Sequence, residues 1–283
     1  MDSRIMDALA DRVLVLGPKQ DTAGPYRHFK LRRDGDGIAW LLFDREGSSA
    51  NTLSADVMEE FDRVLAELEN QRPAGLVIRS AKASGFIAGA DVNEFRGASD
   101  PNMVEAAIGR AHAVIDRLEA LRVPTIAALN GSVYGGATDL ALACDFRIGV
   151  EGMRLLMPAS RLGIVYYASG IRRYVTRLGV AAAKKLFLTA QPIDAAEMLR
   201  IGYLDEIVSA ADLMNRAEAL AATLAANAPL AVVGLKRAIN EAAVGTLDRD
   251  ALGTVRALCA ASADHAEGVR AWTEKRAPVF AGR

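Results

Sequence analysis

Two adjacent glycines, Gly135 and Gly136, stand just before an apolar segment at 137–144 that has the composition of a buried helix. The first N–H groups of a helix have no partner within the helix, and the helix dipole adds positive charge at the same end. Glycines at this point let a bound group approach the backbone closely. The arrangement could bind an anion, or an oxygen that becomes negative during a reaction.

The spacing of these glycines does not match the known phosphate-binding loops. Gly131, Gly135 and Gly136 form neither a G-x-x-x-x-G-K-[ST] loop nor a G-x-G-x-x-G turn. A glycine pair before a helix is also explained by close packing of the helix against a strand. The pair alone therefore leaves ligand binding and close packing as equal alternatives.

A second segment of small residues, SGFIAGAD at 84–91, follows a predicted strand, just as the glycine pair does. The strand before this segment is the apolar run at 75–78, and the strand before the glycine pair is the run at 126–129. Ligands of parallel sheets bind at the loops that follow the carboxyl ends of the strands. The sequence therefore predicts ligand binding at these two loops.

The elements that carry these loops alternate between strands and amphipathic helices. A strand is predicted at 38–43, and apolar residues at helical spacing predict helices at 53–68 and 104–118. Strand, helix and strand in this order indicate parallel pairing through a right-handed crossover. The expected fold class is α/β.

Beyond Arg147 the sequence is typical of helices almost throughout. Three consecutive helices are predicted at 170–178, 181–188 and 194–201. Four more follow from Ala211 to the end, with breaks near Pro229 and Gly245. These later helices are rich in alanine and have few residues for a core of their own, so we expect them to pack on a neighbouring segment or on another subunit.

The pattern divides the chain into three parts. Residues 1–28 show no strong pattern and are expected to be an N-terminal extension, 29–210 form the core with the predicted site, and 211–283 form a helical region. The chain is 51% hydrophobic and 24% charged, which is ordinary for a globular protein. A net charge of -1 does not favour nucleic acid or an anionic membrane surface.

Other features of the sequence predict neither a metal site nor a membrane segment. The histidines His28, His112 and His265 lack the spacing of metal ligands, and no apolar run reaches transmembrane length. Cys144 lies in the apolar helix far from Cys259, which favours a buried free thiol over a disulfide. The first residues lack the pattern of a signal peptide, so a cytoplasmic location is expected.

Three motifs in order resemble a known family: F-I-A-G-A-D at 86–91, N-G-x-x-x-G-G-x-x-x-L-A-L-A-C-D at 130–145 and F-L-T-A-x-P-I-D-A-x-E-M at 187–198. They resemble the crotonase superfamily, which is the enoyl-CoA hydratase/isomerase family, from about Phe29 to the C-terminus. The resemblance implies a spiral of ββα units with a helical C-terminal region that takes part in a homotrimer or a dimer of trimers. It also implies an acyl-CoA thioester as substrate, so coenzyme A is part of the substrate and no separate cofactor is expected.

The resemblance also implies where the substrate is activated. In this family two backbone N–H groups hold the thioester oxygen, and at the matching positions they belong to Ala90 and Gly136. These groups would stabilise an enolate-like intermediate, and one such donor lowers a barrier by about 3 kcal/mol. This expectation agrees with the reading of the two loops from their residues.

The coenzyme A contacts implied by the resemblance are Ala88, Gly89, Asp91 and Gly135. Positive charge near the end of the last helix, from Lys275 and Arg276, would help to hold the phosphates, either in the same chain or in a neighbouring subunit. A solvated helix end explains these two bases equally well.

The sequence departs from the hydratases of this family at two positions. Those enzymes use two glutamates to handle one water, whereas here the first position is Asp139, one helical turn after Gly136. The second position follows Pro158 and is Ala159, which cannot transfer a proton. Because an aspartate reaches one methylene less far and proton transfer needs hydrogen-bond distance, a two-glutamate hydration is not expected. Asp139 is either a base or a first-turn carboxylate that stabilises the helix dipole.

The segment at 158–167 offers other groups for the acyl pocket. Its L-G-I-V-Y run at 162–166 is similar to the corresponding run of methylmalonyl-CoA decarboxylases in the same family, which also lack the glutamate pair and have a tyrosine at the position of Tyr166. Decarboxylation needs an oxyanion hole, an apolar pocket and a proton donor. Tyr166 could orient a carboxylate or donate a proton, but ordinary packing explains Tyr166 and Tyr167 equally well. Arg161 could hold a second carboxylate, although a surface role is the simpler one.

Several functions therefore remain open for the sequence. The broad expectation is an enzyme of the enoyl-CoA hydratase type that lacks the glutamate pair. Decarboxylation fits the missing glutamates and Tyr166, isomerisation would need Asp139 as its one base, and hydration would depend on Asp139 alone or on a tyrosine. A non-catalytic protein that binds acyl-CoA is the alternative from another class.

Overall fold

The computed structural model describes residues 25–83, 85–91 and 101–283, without the side chains of 101–107. Most of the predicted extension at 1–28 lies outside these residues. The strands are β1 (Phe29–Arg33), β2 (Ile38–Phe43), β3 (Gly75–Ser80), β4 (Thr125–Leu129), β5 (Val133–Tyr134), β6 (Phe146–Val150), β7 (Arg154–Leu156), β8 (Ile193–Asp194) and β9 (Glu206–Val208). The helices are α1 (Ala55–Gln71), α2 (Pro101–Ala120), α3 (Gly136–Ala143), α4 (Ala168–Thr189), α5 (Ala195–Arg200), α6 (Leu213–Ala225), α7 (Pro229–Ala243), α8 (Arg249–Ala260) and α9 (Ala263–Glu274).

The main sheet has six strands in the order β1-β2-β3-β4-β6-β9. β1 is antiparallel to β2, and every other neighbouring pair is parallel, as the order of strand, helix and strand predicted. All residues of β2, β3 and β4 are buried, which is typical of parallel strands covered on both faces. A smaller sheet, in the order β5-β7-β8, lies where the two predicted loops meet.

The helices pack through the apolar faces that their spacing predicts. In α1 the buried side chains include Val57, Phe61, Val64 and Leu68, at intervals of three and four residues. The helices predicted at 170–178 and 181–188 are one element, α4, interrupted at Gly179. Gly179 has φ 81° and ψ 160°, outside the helical region, so the predicted break is present as a kink.

The chain after Arg147 is not helical almost throughout, as was predicted, because it also contains strands. Strand β6 extends from 146 to 150, and β9 continues the main sheet beside it. The strand β6 was missed because Arg147 interrupts its apolar run. The Arg147 side chain is nevertheless buried, since its guanidinium donates to the Tyr203 and Cys144 carbonyls and pairs with Asp205 at 3.2 Å.

The helical C-terminal region is present, but its first helix belongs to the core by its packing. α6 lies against β3, β4 and β6 and buries Leu213, Met214, Ala217 and Ala221. α7 is attached to the core through Lys236, whose ammonium donates to the Val123 carbonyl at 2.8 Å. Neither α7 nor α8 has a buried residue. The boundary predicted at 211 therefore separates α6 from the sheet that it covers.

Two findings concern the membrane and the cysteines. No single helix in the described part of the chain is long and apolar enough to cross a membrane, and α6 and α7 pass that test only as a pair bent by 104°. Cys144 and Cys259 are both free thiols, and Cys144 is buried, as predicted.

Candidate active site

The two glycine-containing loops touch each other through their backbones. The Phe86 N–H donates to the Ser132 carbonyl at 3.3 Å, and a β-carbon on Gly131 would lie 2.7 Å from the Gly85 α-carbon. A β-carbon on Gly89 would lie 2.7 Å from the Tyr134 carbonyl oxygen. Larger side chains at Gly89 and Gly131 would separate the loops, so close packing accounts for these two glycines.

The contact between the loops leaves two N–H groups without an acceptor among the described residues. The Leu53 N–H donates to the Gly89 carbonyl at 2.8 Å, and the Leu53 carbonyl accepts from the Asp91 N–H at 3.4 Å. These two bonds involve the residues on either side of Ala90 but not the Ala90 N–H. Gly136 is the first residue of α3, and its N–H has no partner within the helix. Neither N–H donates to any residue that the structure describes. The loops therefore combine close packing with two backbone donors that no described residue accepts from.

Gly135 sets the direction of the Gly136 N–H. Its φ of 52° and ψ of -127° lie in a region that residues with a β-carbon avoid. The Gly135 N–H donates to the Leu156 carbonyl at 2.9 Å, and its own carbonyl accepts from the Thr138 N–H at 2.9 Å. This turn starts α3 and leaves the next N–H at the helix N-terminus.

The residues expected to contact coenzyme A lie in two places. Ala88 is exposed beside the buried Gly89, and Asp91 pairs with Arg45 at 2.7 Å. Lys275 is exposed at the end of α9, and among the described residues no hydrogen bond or ion pair joins it to 85–91. The structure therefore brings Ala88, Gly89 and Asp91 together with Gly135 but not with Lys275.

Arg276, the other base near the end of α9, is engaged within the same helical region. It pairs with Glu267 at 2.6 Å and with Glu274 at 2.6 Å. These carboxylates provide a local reason for the Arg276 charge.

Asp139 is completely buried, and its carboxylate accepts several hydrogen bonds. Arg173 donates to Oδ1 at 2.6 Å, and the Tyr166 hydroxyl donates to Oδ2 at 3.2 Å. The Tyr167 hydroxyl donates to the same Oδ2. A carboxylate with one ion pair and two hydroxyl donors is well suited to hold side chains in place.

Arg173 is the centre of a buried network between α2, α3 and α4. Its side chain is fully enclosed and lies between Asp139 and two carboxylates of α2: Nη2 is 2.6 Å from Asp116 Oδ1, and Nε is 3.2 Å from Glu119 Oε1. Removal of one member of such a pair leaves an uncompensated buried charge, which costs about 3–5 kcal/mol. The network therefore fixes the three helices relative to one another.

The hydroxyls of Tyr166 and Tyr167 stay protonated in this environment. Burial and, after it, the negative charge of Asp139 raise the pKa of Tyr166 well above its usual range. The same two causes raise the pKa of Tyr167. Both phenols are therefore neutral at ordinary pH and can act as donors.

His112 belongs to the site, although the sequence analysis did not select it. Its ring stacks on the Tyr167 ring with 3.4 Å between the centroids and 8° between the planes. His112 lies on α2 within the predicted apolar pattern of Ile108, Ala111 and Ile115. The available signal in the sequence was a histidine within an apolar helical pattern.

Arg173 was also missed, and it had a similar signal. It is buried together with Gly170 and Tyr174 on one face of α4, at helical spacing. An arginine on the buried face of a helix requires a partner of opposite charge.

The second glutamate position of the hydratases is next to the glycine turn. A β-carbon on Gly135 would lie 3.9 Å from Pro158 Cδ, and the following residue, Ala159, is buried. Ala159 starts a short 3-10 helix at Ala159–Leu162, where Arg161 is exposed. The position that the family resemblance assigns to a second glutamate is thus an alanine beside the Gly135 turn.

Two other features lie apart from this site. A cavity of about 450 Å³ between α7, α8 and α9 is lined by residues that include Leu230, Cys259, Val269, Trp272 and Phe280. None of the predicted site residues lines this cavity. Among the described residues, no three His, Cys, Asp or Glu side chains lie close enough together to hold a metal ion.

Comparison with known proteins gives one family. A sequence model described as enoyl-CoA hydratase/isomerase matches residues 33–283. The chain is 35% identical over 254 residues to a protein of Clostridium acetobutylicum named short-chain-enoyl-CoA hydratase, covering 87% of this chain and 94% of that protein. A crystal structure titled enoyl-CoA hydratase from Bacillus anthracis aligns with a TM-score of 0.82 and 30% identity, over 90% of this chain and all of that one. A structure from Magnetospirillum magneticum, titled enoyl-CoA hydratase/carnithine racemase, has a TM-score of 0.85 and 25% identity, with coverage of 91% and 97%.

Proposed function

Because the chain belongs to the enoyl-CoA hydratase/isomerase family, we propose that it binds an acyl-CoA thioester and stabilises the thioester enolate with the N–H groups of Ala90 and Gly136. The observation that carries this proposal is that both N–H groups have no acceptor in the part of the chain that the structure describes, and that they lie on loops that touch. Donors that are fixed before the reaction stabilise developing charge without reorganisation. Coenzyme A enters as part of the substrate, along Ala88, Gly89 and Asp91.

The side chains around this oxyanion hole favour loss of CO₂ as the source of the enolate. Asp139 is paired with Arg173 and accepts from two tyrosines, and Ala159 occupies the second carboxylate position. When a malonyl-type thioester loses CO₂, the electron pair of the breaking C–C bond moves to the thioester oxygen, and no base is needed. The reaction needs only the N–H pair and a proton donor.

Hydration of an enoyl-CoA is the second candidate, and the names of the relatives favour it. The Clostridium acetobutylicum protein is named a short-chain hydratase, and the Bacillus anthracis structure is titled a hydratase. Hydration requires that a group activates water and that a proton reaches the α-carbon. In this chain these tasks would depend on Asp139, whose oxygens already accept from Arg173 and both tyrosines.

Mass spectrometry in deuterium oxide separates these functions. The purified protein is incubated with crotonyl-, 3-enoyl-, methylmalonyl- and ethylmalonyl-CoA. We expect loss of CO₂ and one deuterium at the α-carbon for a malonyl-type thioester. Addition of water to crotonyl-CoA would instead assign hydration, and migration of the double bond in the 3-enoyl thioester would assign isomerisation.

A protein that only binds acyl-CoA is the remaining outcome. It would hold the thioesters in equilibrium dialysis without changing any of them. That result would contradict the enolate chemistry proposed for Ala90 and Gly136.

A further inference from the structure

Tyr166 and Tyr167 are neighbours in the chain and in space, with 4.7 Å between their ring centroids, but their other contacts differ. Tyr166 packs against the hydrophobic core, with its ring centroid 5.2 Å from Phe187 and 6.4 Å from Tyr174. Tyr167 instead stacks on the half-buried His112. Tyr166 is therefore the tyrosine that the core encloses, and Tyr167 lies on the more open side.

The Tyr167 hydroxyl is fixed from two directions. His112 covers one face of the ring, at 8° between the planes, and the hydroxyl at its tip donates to Asp139 Oδ2. Asp139 is itself held by the buried guanidinium of Arg173 at 2.6 Å. A side chain held at both its ring and its tip has little rotational freedom, which is what a group must have to act at one particular atom.

The carboxylate that this hydroxyl contacts lies one helical turn from the proposed oxyanion hole. Asp139 lies three residues after Gly136, one turn into the helix. Because Cα–Cβ bonds in a helix tilt toward its N-terminus, the Asp139 side chain leans toward the turn that contains Gly136. A hydroxyl that donates to Asp139 therefore lies toward the turn of α3 that contains Gly136, whose N–H would hold the thioester oxygen.

We propose that Tyr167 is the catalytic residue that delivers a proton to the α-carbon of the enolate, and that Asp139 and Arg173 are positioning residues that act through it. The inference rests on the proposed function. After CO₂ leaves, the electron pair of the enolate forms a C–H bond with the Tyr167 proton, and the O–H bond breaks. The phenolate then takes a proton from water, and the hydroxide combines with CO₂ as bicarbonate, so atoms and charges balance.

The electrostatics of the site suit an acid more than a base. Burial and the Asp139 carboxylate raise the pKa of Tyr167, so its hydroxyl carries the proton to be donated at ordinary pH. A thioester enolate is a stronger base at carbon than a phenolate is at oxygen, so transfer is downhill. The phenolate that remains beside Asp139 is disfavoured and regains its proton quickly.

Tyr167→Phe tests the proposal, with Tyr166→Phe as the matched control. Each variant removes one hydroxyl that donates to the same carboxylate oxygen. With methylmalonyl-CoA in deuterium oxide, we expect Tyr167→Phe to lower kcat about 100-fold or more, the usual contribution of a general acid, with little change in KM. The α-deuterium of the propionyl-CoA product should also lose its single configuration, because solvent reaches both faces of the enolate.

The control separates proton delivery from a general disturbance of the pocket. Tyr166→Phe should lose less kcat and keep a single configuration at the deuterated carbon, read by NMR after coupling to a chiral reagent. The opposite pattern would assign delivery to Tyr166 and overturn the inference. Full activity and a single configuration in Tyr167→Phe would overturn it as well, while the proposed function would stand.

A failure of the proposed function would give a different result from a failure of the inference about Tyr167. A wild-type protein that turns over no malonyl-type thioester refutes the decarboxylation and the inference together. Asp139→Asn adds a test of positioning: a carboxamide still offers an oxygen to Tyr167, so this variant should retain more activity than Tyr167→Phe and keep the single configuration. Complete loss of turnover in a folded Asp139→Asn protein would mean that Asp139 itself transfers the proton.

Discussion

At the scale of single residues, the proposed oxyanion hole consists of backbone N–H groups, and among the natural residues only proline would remove one of them. Gly136→Pro deletes the N–H at the first helical position, where proline is well tolerated. We expect turnover of the thioester to fall by about 100-fold or more, because one oxyanion donor is lost. Steady-state kinetics, with circular dichroism to confirm folding, measures this.

Gly136→Ala is the control for that substitution. It keeps the N–H, and its β-carbon would lie 3.5 Å from Leu53 Cδ1, an ordinary contact. Activity near the wild-type value is expected for alanine. Equal activity in the proline variant would mean that the Gly136 N–H does not hold the thioester oxygen.

Asp139 offers a second prediction at this scale, on stability. Asp139→Ala leaves the guanidinium of Arg173 buried without the carboxylate that lies 2.6 Å away. Because Asp116 at 2.6 Å and Glu119 at 3.2 Å still face Arg173, we expect the free energy of unfolding in urea to fall by about 1–3 kcal/mol, the cost of leaving part of a buried donor group unsatisfied. A change below about 1 kcal/mol, the size typical of exposed pairs, would show that the pair does not anchor the helices.

The residues of the site differ in how far the sequence reveals them. Ala90 and Gly136 could be predicted from the family resemblance because the motifs that contain them are local in the sequence. His112 and Arg173 reach the site from α2 and α4, through packing that depends on the whole fold. Their signal was a polar residue on an apolar helical face, which shows that a partner is needed but not which one.

At the scale of elements, replacing a helical glycine by alanine raises or lowers the free energy of unfolding, depending on the backbone angles of that glycine. Gly179 has φ 81° at the kink of α4, whereas Gly109 lies within α2, and a β-carbon would meet no atom within 4 Å at either position. Gly179→Ala should lower the free energy of unfolding by about 1–3 kcal/mol through backbone strain. Gly109→Ala should raise it by about 1 kcal/mol through helix propensity.

Urea unfolding of the two variants measures this contrast. The pair is matched because neither alanine introduces a side-chain clash. A destabilisation by Gly109→Ala equal to that by Gly179→Ala would show that the kink stores no strain.

The elements themselves were largely predictable where the hydrophobic pattern is regular. β2, β3, β4 and the long helices were found because whole runs are apolar or amphipathic. The strand β6 was missed because the buried Arg147 breaks its run, and β9 has only three residues, too few for a period to be seen. Such elements are defined by their neighbours in the sheet.

At the scale of the whole molecule, the C-terminal helices carry exposed apolar side chains. Leu258, Val269 and Trp272 are 62%, 55% and 88% exposed, and the last two line the cavity between α7, α8 and α9. Large exposed apolar surfaces are typical of contacts between proteins. We therefore propose that this region takes part in contacts between subunits, and the family resemblance implies that the assembly is a homotrimer or a dimer of trimers.

Light scattering tests this assembly. A trimer has three times the subunit mass of 30.1 kDa. Trp272→Asp should shift the protein to smaller species at micromolar concentration, because burial of a charge at an interface is costly. Leu188→Asp, at an apolar side chain of α4 that is 72% exposed, controls for a general effect of added charge. A wild-type protein that has the mass of one subunit would contradict the proposal.

The packing of α6 on the main sheet also bears on how the protein is made. Strands β2, β3 and β4 leave the ribosome early, yet the helix that covers them ends at residue 225 and the edge strand β9 precedes it only shortly. Until that helix is synthesised, the nascent chain holds an apolar sheet face open to solvent, a state prone to aggregation. Ribosome-bound chains in which α6 has not yet left the exit tunnel should therefore recruit chaperones, and chains long enough for α6 to emerge should release them.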